Sequence, residues 1–199
     1  MDLAVALINK MRGKDIHDPL ITPLDTRLHV VNKQGYVETS PADLALASGY
    51  PLEIYAMASC MQSEENSDKG RLAVGLAIWN AAKKNKANVA RLLLHSNNPV
   101  STGHFGDQAD RYAATVKPPT SRTLLLAKAI QAGQVPDIAE GAKQWDSPKA
   151  QDHNHELFLK YPKKFPAFRL SSAEIEAKRI SEGRRVVRIP GVPETRFWA

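Results

Sequence analysis

Two segments decide the fold of this chain: LEIYAMASCM at residues 52–61 and LAVGLAIW at residues 72–79. Each is apolar almost all the way round a helical wheel and presents no polar face. A helix without a polar face is buried. The sequence therefore predicts that these two helices form the centre of the core, separated by a polar loop at residues 62–71.

The rest of the chain is also mainly helical in pattern. Further helices are expected at residues 3–12, from Ser40-Pro41 to Gly49, and at 87–95, 122–132 and 172–182. Residues 14–39 hold prolines and β-prone runs that favour an arm or small hairpin, and residues 96–121 form a long polar connection of a kind that is often functional. The expected fold class is mainly α, with an N-terminal helix and arm at 1–39, a helical domain at 40–150 and an extended basic C-terminal tail at 151–199.

Composition excludes several classes of protein. The 199 residues are 43% hydrophobic and 24% charged, which is ordinary globular composition. The single cysteine, Cys60, excludes an internal disulfide framework and a multi-cysteine zinc site, and its place in a buried helix predicts an inert thiol. No apolar stretch approaches the ~18 residues of a membrane span. The N-terminus lacks a basic region before its apolar run, so no secretory signal is expected.

The formal net charge of +6 lies in the C-terminal fifth of the chain. Residues 160–199 hold ten basic and four acidic residues, and the remainder is balanced. The basic segment predicts an anionic partner, which would be a polymer, a membrane surface or an acidic protein. A solvated basic tail is the alternative. A nucleic-acid-binding module is a further alternative, which the scarcity of aromatic residues among the basic ones disfavours.

Glu64 is the candidate for acid–base chemistry. It follows the first apolar helix, where partial burial and the negative end of the helix dipole both disfavour a charged carboxylate. A carboxylic acid that stays protonated is what general-acid cleavage of a glycosidic bond requires. Glu65 and Asp68 are nearby, and a one-residue shift of the helix end would exchange the roles of Glu64 and Glu65. A solvated acidic turn is the alternative interpretation.

One other cluster has the residue types of a metal site. Residues 152–156 read Asp-His-Asn-His-Glu, but the histidines alternate and do not stand at the i, i+4 spacing that places both on one helix face. We therefore expect a polar helix start, no metal site and no cofactor.

The central segments, taken in order, resemble the cell-wall hydrolases related to spore-cortex lytic enzymes. In that family a helix ends on a catalytic glutamate, and a short loop then leads into a buried helix that ends on an asparagine. Glu64 and Asn80 occupy those positions here. Downstream, Gly106-Asp107-Gln108 with residues 111–115, and then residues 138–148, are similar to later motifs of the family. The resemblance covers residues 42–150.

The resemblance implies a lysozyme-like fold and cleavage of peptidoglycan. Glu64 would be the single acid and base of a lytic transglycosylase reaction, which cuts the bond between N-acetylmuramic acid and N-acetylglucosamine. Gln108 and Tyr112 would bind substrate, and so would Glu65 and Trp145. If Glu65 or Asp68 faces the same cleft, hydrolysis replaces transglycosylation.

The expected partners are peptidoglycan glycan strands. Without a signal sequence, a bacteriophage origin fits best: a virion component, or a lysis enzyme held in the host cytoplasm before it reaches the cell wall. In a virion, the basic tail would dock on neighbouring virion proteins. The alternative is an inactive structural or ejection protein of the particle that keeps the lysozyme-like fold.

Overall fold

The computed structural model describes residues 49–94 and 119–199, together with two short strands nearer the N-terminus. These strands, β1 (Val30–Val31) and β2 (Val37–Glu38), pair antiparallel with Val30 opposite Glu38. The expected helix over residues 3–12, the rest of the N-terminal arm, the helix starting at Ser40-Pro41 and most of the 96–121 connection lie outside the described residues.

The two apolar segments form the first two helices of the described structure, α1 (Leu52–Glu64) and α2 (Asp68–Asn85). Residues 54–61 of α1 are all buried, and so are most of those from 70 to 82 in α2. The prediction that these helices form the centre of the core is confirmed. The turn between them is closed by the Ser67 side chain, which accepts a hydrogen bond from the Gly70 N–H at 3.0 Å.

Two further helices complete the helical core, α3 (Val89–Leu94) and α4 (Ser121–Gln131). Helix α4 packs against both α1 and α2. At their junction, a Cβ placed on Gly75 would lie 2.5 Å from Ile130 Cδ1 and 2.8 Å from Met61 Sδ. The close approach of the three helices therefore depends on a glycine at this position.

The C-terminal part of the chain combines two helices with a small sheet. Its elements are β3 (Gln144–Asp146), α5 (Pro148–Lys160), α6 (Ser172–Ser181), β4 (Val186–Val187) and β5 (Arg196–Trp198). The helix predicted at residues 172–182 is observed as α6, which begins with a capping box: the Ser171 and Glu174 side chains each bond the other residue's backbone N–H. The described chain is thus mainly helical, as the sequence predicts.

The last residues of the chain, expected to be part of an extended tail, lie instead in a sheet. Strand β5 is the central strand of an antiparallel sheet of order β3-β5-β4, with Trp145 opposite Phe197. Phe197 and Trp198 are almost completely buried. The physical reason is that these large aromatic groups gain more from burial against the helical core than from contact with water.

Candidate active site

Glu64 and Trp145 come together at the surface end of α1. Glu64 is the last residue of the helix and is exposed, whereas Trp145 lies in the middle of β3 and is half-buried. The Trp145 indole N–H donates a hydrogen bond to Glu64 Oε2 at 3.0 Å. Two predicted site residues that are 81 positions apart in sequence are therefore in direct contact.

The partial burial expected for Glu64 is not observed, because the helix ends as the chain reaches the surface. Cys60, one turn earlier in α1, is buried instead. Burial, and secondarily the charge of Glu64, raise the pKa of the Cys60 thiol well above its usual value. Cys60 is thus a protonated core thiol, in agreement with the inert role predicted for it.

Asn80 holds the turn that leads into β3. Its side-chain amide donates to Asp137 Oδ2 at 3.0 Å and to the Ala142 carbonyl at 3.3 Å. Asp137 in turn accepts from the backbone N–H groups of Ala139 and Gly141, at 3.0 and 2.9 Å. Because Trp145 follows this turn by three residues, the asparagine of α2 helps to fix the residue that contacts Glu64.

Asp137 was missed by the sequence reasoning. The signal that was available is local: Pro136-Asp137 followed by Gly141 is turn composition, and an aspartate in a turn bonds backbone N–H groups a few residues later. Gly141 has a φ of +78°, which a residue with a side chain seldom adopts.

Glu65, unlike Glu64, contacts the C-terminal segment of the chain. It is half-buried, and its Oε1 accepts a hydrogen bond from the Thr195 hydroxyl. Its Oε2 lies against Gly70, where an added Cβ would be closer than van der Waals contact allows. The carboxyl group of Glu65 therefore joins α1 to the C-terminal segment.

Asp68 is engaged by two arginines. It pairs with Arg71 at 3.2 Å and also with Arg122, which belongs to α4. The side chain of Asp68 is mostly buried by these contacts, and it links α2 to α4. Of the three acidic residues around the end of α1, Glu64 is the exposed one.

The remaining predicted substrate residues, Gln108 and Tyr112, lie outside the described residues. The described chain contains a pocket of about 280 Å³ between the end of α2 and the C-terminal sheet, lined by residues that include Lys84, Lys143, Arg184 and Trp198. Neither Glu64 nor Trp145 contributes to this pocket.

A buried ion-pair cluster surrounds Arg196, whose side chain is only 1% exposed, and no sequence pattern predicted it. Its guanidinium donates to both carboxylate oxygens of Asp146, at 2.9 and 3.1 Å, and to Glu176 at 2.9 Å. Burial lowers the pKa of Arg196, but the pairing with both acids outweighs it and the net shift is upward. The Arg196 hydrogen bond also lowers the pKa of Glu176.

Residues 152–156 take structural contacts in α5. Asp152 accepts from the backbone N–H and the hydroxyl of Ser172, both at 2.7 Å, and these bonds lower its pKa. His155 Nδ1 lies 3.0 Å from the Phe168 carbonyl. Across residues 49–94 and 119–199, no three histidine, cysteine or acidic side chains are grouped as metal ligands would be.

No helix in the described ranges is both long enough and apolar enough to span a bilayer. No protein-family model, curated protein sequence or solved structure matches this chain.

Proposed function

We propose that this chain is a peptidoglycan-cleaving enzyme with a lysozyme-like helical domain, a lytic transglycosylase in which Glu64 is the single acid and base. The contact between Glu64 and Trp145 carries the proposal, because it brings an exposed carboxyl group to the edge of an indole ring that is itself part-exposed. Carboxyl groups beside aromatic rings are suited to carbohydrate sites: the ring packs on a sugar face while the acid meets the glycosidic oxygen.

The proposed reaction begins with proton transfer from Glu64 to the glycosidic oxygen, as that oxygen leaves C1 of N-acetylmuramic acid. The Glu64 carboxylate then accepts the proton of the muramoyl 6-hydroxyl, whose oxygen bonds to C1 and closes a 1,6-anhydro ring. No water is consumed, and Glu64 is again protonated at the end. Gln108 and Tyr112 are proposed to bind the substrate.

The surroundings of the other acids favour a single-carboxylate course over hydrolysis by a carboxylate pair. A retaining pair needs a second carboxyl group about 5–5.5 Å from the first and directed at the same bond. Among the described residues next to Glu64, Glu65 is bonded to Thr195 and Asp68 is paired with Arg71 and Arg122. Both have structural contacts to other elements.

Digestion of purified peptidoglycan, with mass spectrometry of the soluble fragments, tests the proposal. Wild type is expected to release anhydromuramoyl fragments, and Glu64→Gln none. Fragments with reducing muramoyl ends would keep the enzyme but replace the mechanism with hydrolysis. Absence of release by folded wild-type protein would overturn the proposed activity.

A second candidate is an inactive structural or ejection protein of a phage particle. The observation that favours it is the exposure of Glu64, because the partial burial expected of a general acid is not observed. On this alternative, the Glu64–Trp145 hydrogen bond holds β3 against α1 and nothing more. A phage virion or lysis setting is part of the proposal in either case.

A further inference from the structure

The segment from the end of α5 to α6 carries basic side chains that form no ion pairs among the described residues, unlike the basic side chains of the rest of the C-terminal region. We call residues 159–170 the basic loop; its cations are Lys160, Lys163, Lys164 and Arg169, all exposed. No ion pair within the described residues involves any of these four side chains. They stand in one segment of twelve residues that contains no acid.

The other six basic residues of the C-terminal region are in ion pairs. Lys178 and Arg184 lie within 4.0 Å of Glu182, Arg185 pairs with Glu140, and Arg188 pairs with Glu176. Arg179 and Arg196 both reach Asp146. The charge excess at this end of the chain is therefore concentrated in the basic loop.

The basic loop is folded into a defined shape. The backbone N–H groups of Lys164 and Phe165 donate to the Tyr161 carbonyl, at 2.9 and 3.3 Å, and Lys164 Nζ lies 5.6 Å from the centre of the Tyr161 ring. At the far end of the loop, the Leu170 carbonyl accepts a hydrogen bond from Gln151 in α5. The loop thus turns back along α5, and hydrogen bonds hold the backbone that carries the four cations.

Apolar side chains stand among these cations. Leu159 is 67% exposed, Tyr161 53% and Leu170 36%, and no residue of α5 is buried. Large apolar groups exposed beside charged ones mark interaction surfaces.

We infer that the basic loop docks on an anionic lipid surface. Lysine and arginine near an anionic bilayer each contribute attraction to the headgroups, while leucine and tyrosine side chains enter the interface between headgroup and acyl chain. The phosphates of a nucleic acid would attract the four cations, but Leu159 and Leu170 would stay in contact with water. This inference does not depend on the proposed enzymatic activity.

Cosedimentation of the full chain with vesicles tests the inference. Phosphatidylcholine vesicles containing one third phosphatidylglycerol are expected to bind wild type, and vesicles of phosphatidylcholine alone to bind it far more weakly. In one variant, Lys160, Lys163, Lys164 and Arg169 are all changed to Gln. Its affinity for the anionic vesicles should fall by about 100-fold or more. The matched control changes Lys84, Lys86, Lys128 and Lys149 to Gln, which removes the same charge from exposed positions outside the loop, and should bind nearly as wild type does.

A second variant separates a lipid partner from a general polyanion. Leu159→Ser with Leu170→Ser keeps every charge, and it is expected to weaken vesicle binding at least several-fold while leaving any binding to duplex DNA unchanged. Equal loss of binding in the loop and control charge variants would overturn the inference. So would absence of wild-type binding to anionic vesicles, or tighter binding to DNA than to those vesicles.

Discussion

The helical core and the C-terminal segment of this chain are held together in different ways. In the core, formed by α1, α2 and α4, nearly every inward side chain is apolar and fully buried. In the C-terminal segment, α5 has no buried residue and α6 has one, Ser172. There the elements are joined by ion pairs centred on the buried Arg196. The comparison teaches that α5 and α6 are attached mainly by polar contacts, whereas the core helices rely on apolar burial, in which Val187, Ile189, Val192 and Phe197 near the C-terminus also take part.

This contrast has consequences for stability. Apolar burial is insensitive to pH, whereas pairs between acids and arginines are lost when the acids are protonated. The two regions meet at β3, where Asp146 pairs with Arg196 and the neighbouring Trp145 contacts Glu64 of α1. The candidate active site therefore lies on the boundary between the two regions.

Shortening a leucine in the helical core is expected to have the largest effect on stability. Leu72→Ala removes a fully buried side chain and leaves a cavity, so the free energy of unfolding should fall by about 3–4 kcal/mol. Chemical denaturation measures it. The matched control is Leu159→Ala at an exposed position, for which about 0.5 kcal/mol or less is expected. Equal effects would contradict the assignment of the core.

Breaking the Arg196 cluster should have the next largest effect. Arg196→Ala leaves Asp146 and Glu176 without their shared cation, but both acids retain some contact with water. The expected loss in free energy of unfolding is therefore about 2–3 kcal/mol. Arg188→Ala removes an exposed arginine from the same Glu176 and should cost less than about 1 kcal/mol. If both changes are silent, the C-terminal segment is held by something other than its ion pairs.

Acid should loosen the C-terminal segment before the helical core. The pKa values of Glu176 and Asp152 are lowered in the folded chain by their hydrogen bonds from Arg196 and Ser172. The stability they supply is fully present above their unfolded values of about 4, and is lost as the pH falls through the lowered folded values. Hydrogen exchange at about pH 3 should therefore rise in residues 148–181, which contain both acids, relative to residues 54–78. A uniform rise in both ranges would contradict the comparison.

Removing the Trp145 indole N–H should change the free energy of unfolding little but should lower the rate of glycan release measurably. Trp145→Phe keeps an aromatic ring but loses the hydrogen bond to Glu64, so we expect the rate of glycan release at saturating substrate to fall about 10-fold. Trp79→Phe in α2 is the control and should change that rate little. An unchanged rate in Trp145→Phe would show that the hydrogen bond does not position the acid.

The apolar helices could be predicted because burial on all sides leaves a local signature in residues 52–61 and 72–79. The capping box of α6 was equally local. The Arg196 cluster could not be predicted, because arginine is seldom buried unless it is paired, and its partners lie 20 and 50 positions away. The charge count had placed Arg196 in an extended basic tail. Pairing across that distance is decided by the fold and not by any local pattern.

The candidate site was predicted in part. The apolar run ends at residue 61 and predicted a polar loop at 62–71, whereas α1 continues to Glu64 and α2 begins at Asp68. The exposure of Glu64 was not predicted, since the last turn of a buried helix can end on either side of the surface. Trp145 was predicted through a family resemblance as a substrate-binding residue, but its contact with Glu64 was not predicted. The different environments of Glu64 and Glu65 depend on Thr195, which is 130 positions away.

The most direct test of the account compares two adjacent substitutions in one assay, Glu64→Gln and Glu65→Gln, by the rate at which each releases soluble fragments from purified peptidoglycan. Glutamine at position 65 can still accept the Thr195 hydrogen bond, so this variant controls for the local change of charge. We predict that Glu64→Gln lowers the rate by about 10²- to 10⁴-fold and that Glu65→Gln keeps most of it. An inactive Glu65→Gln beside an active Glu64→Gln would contradict the account.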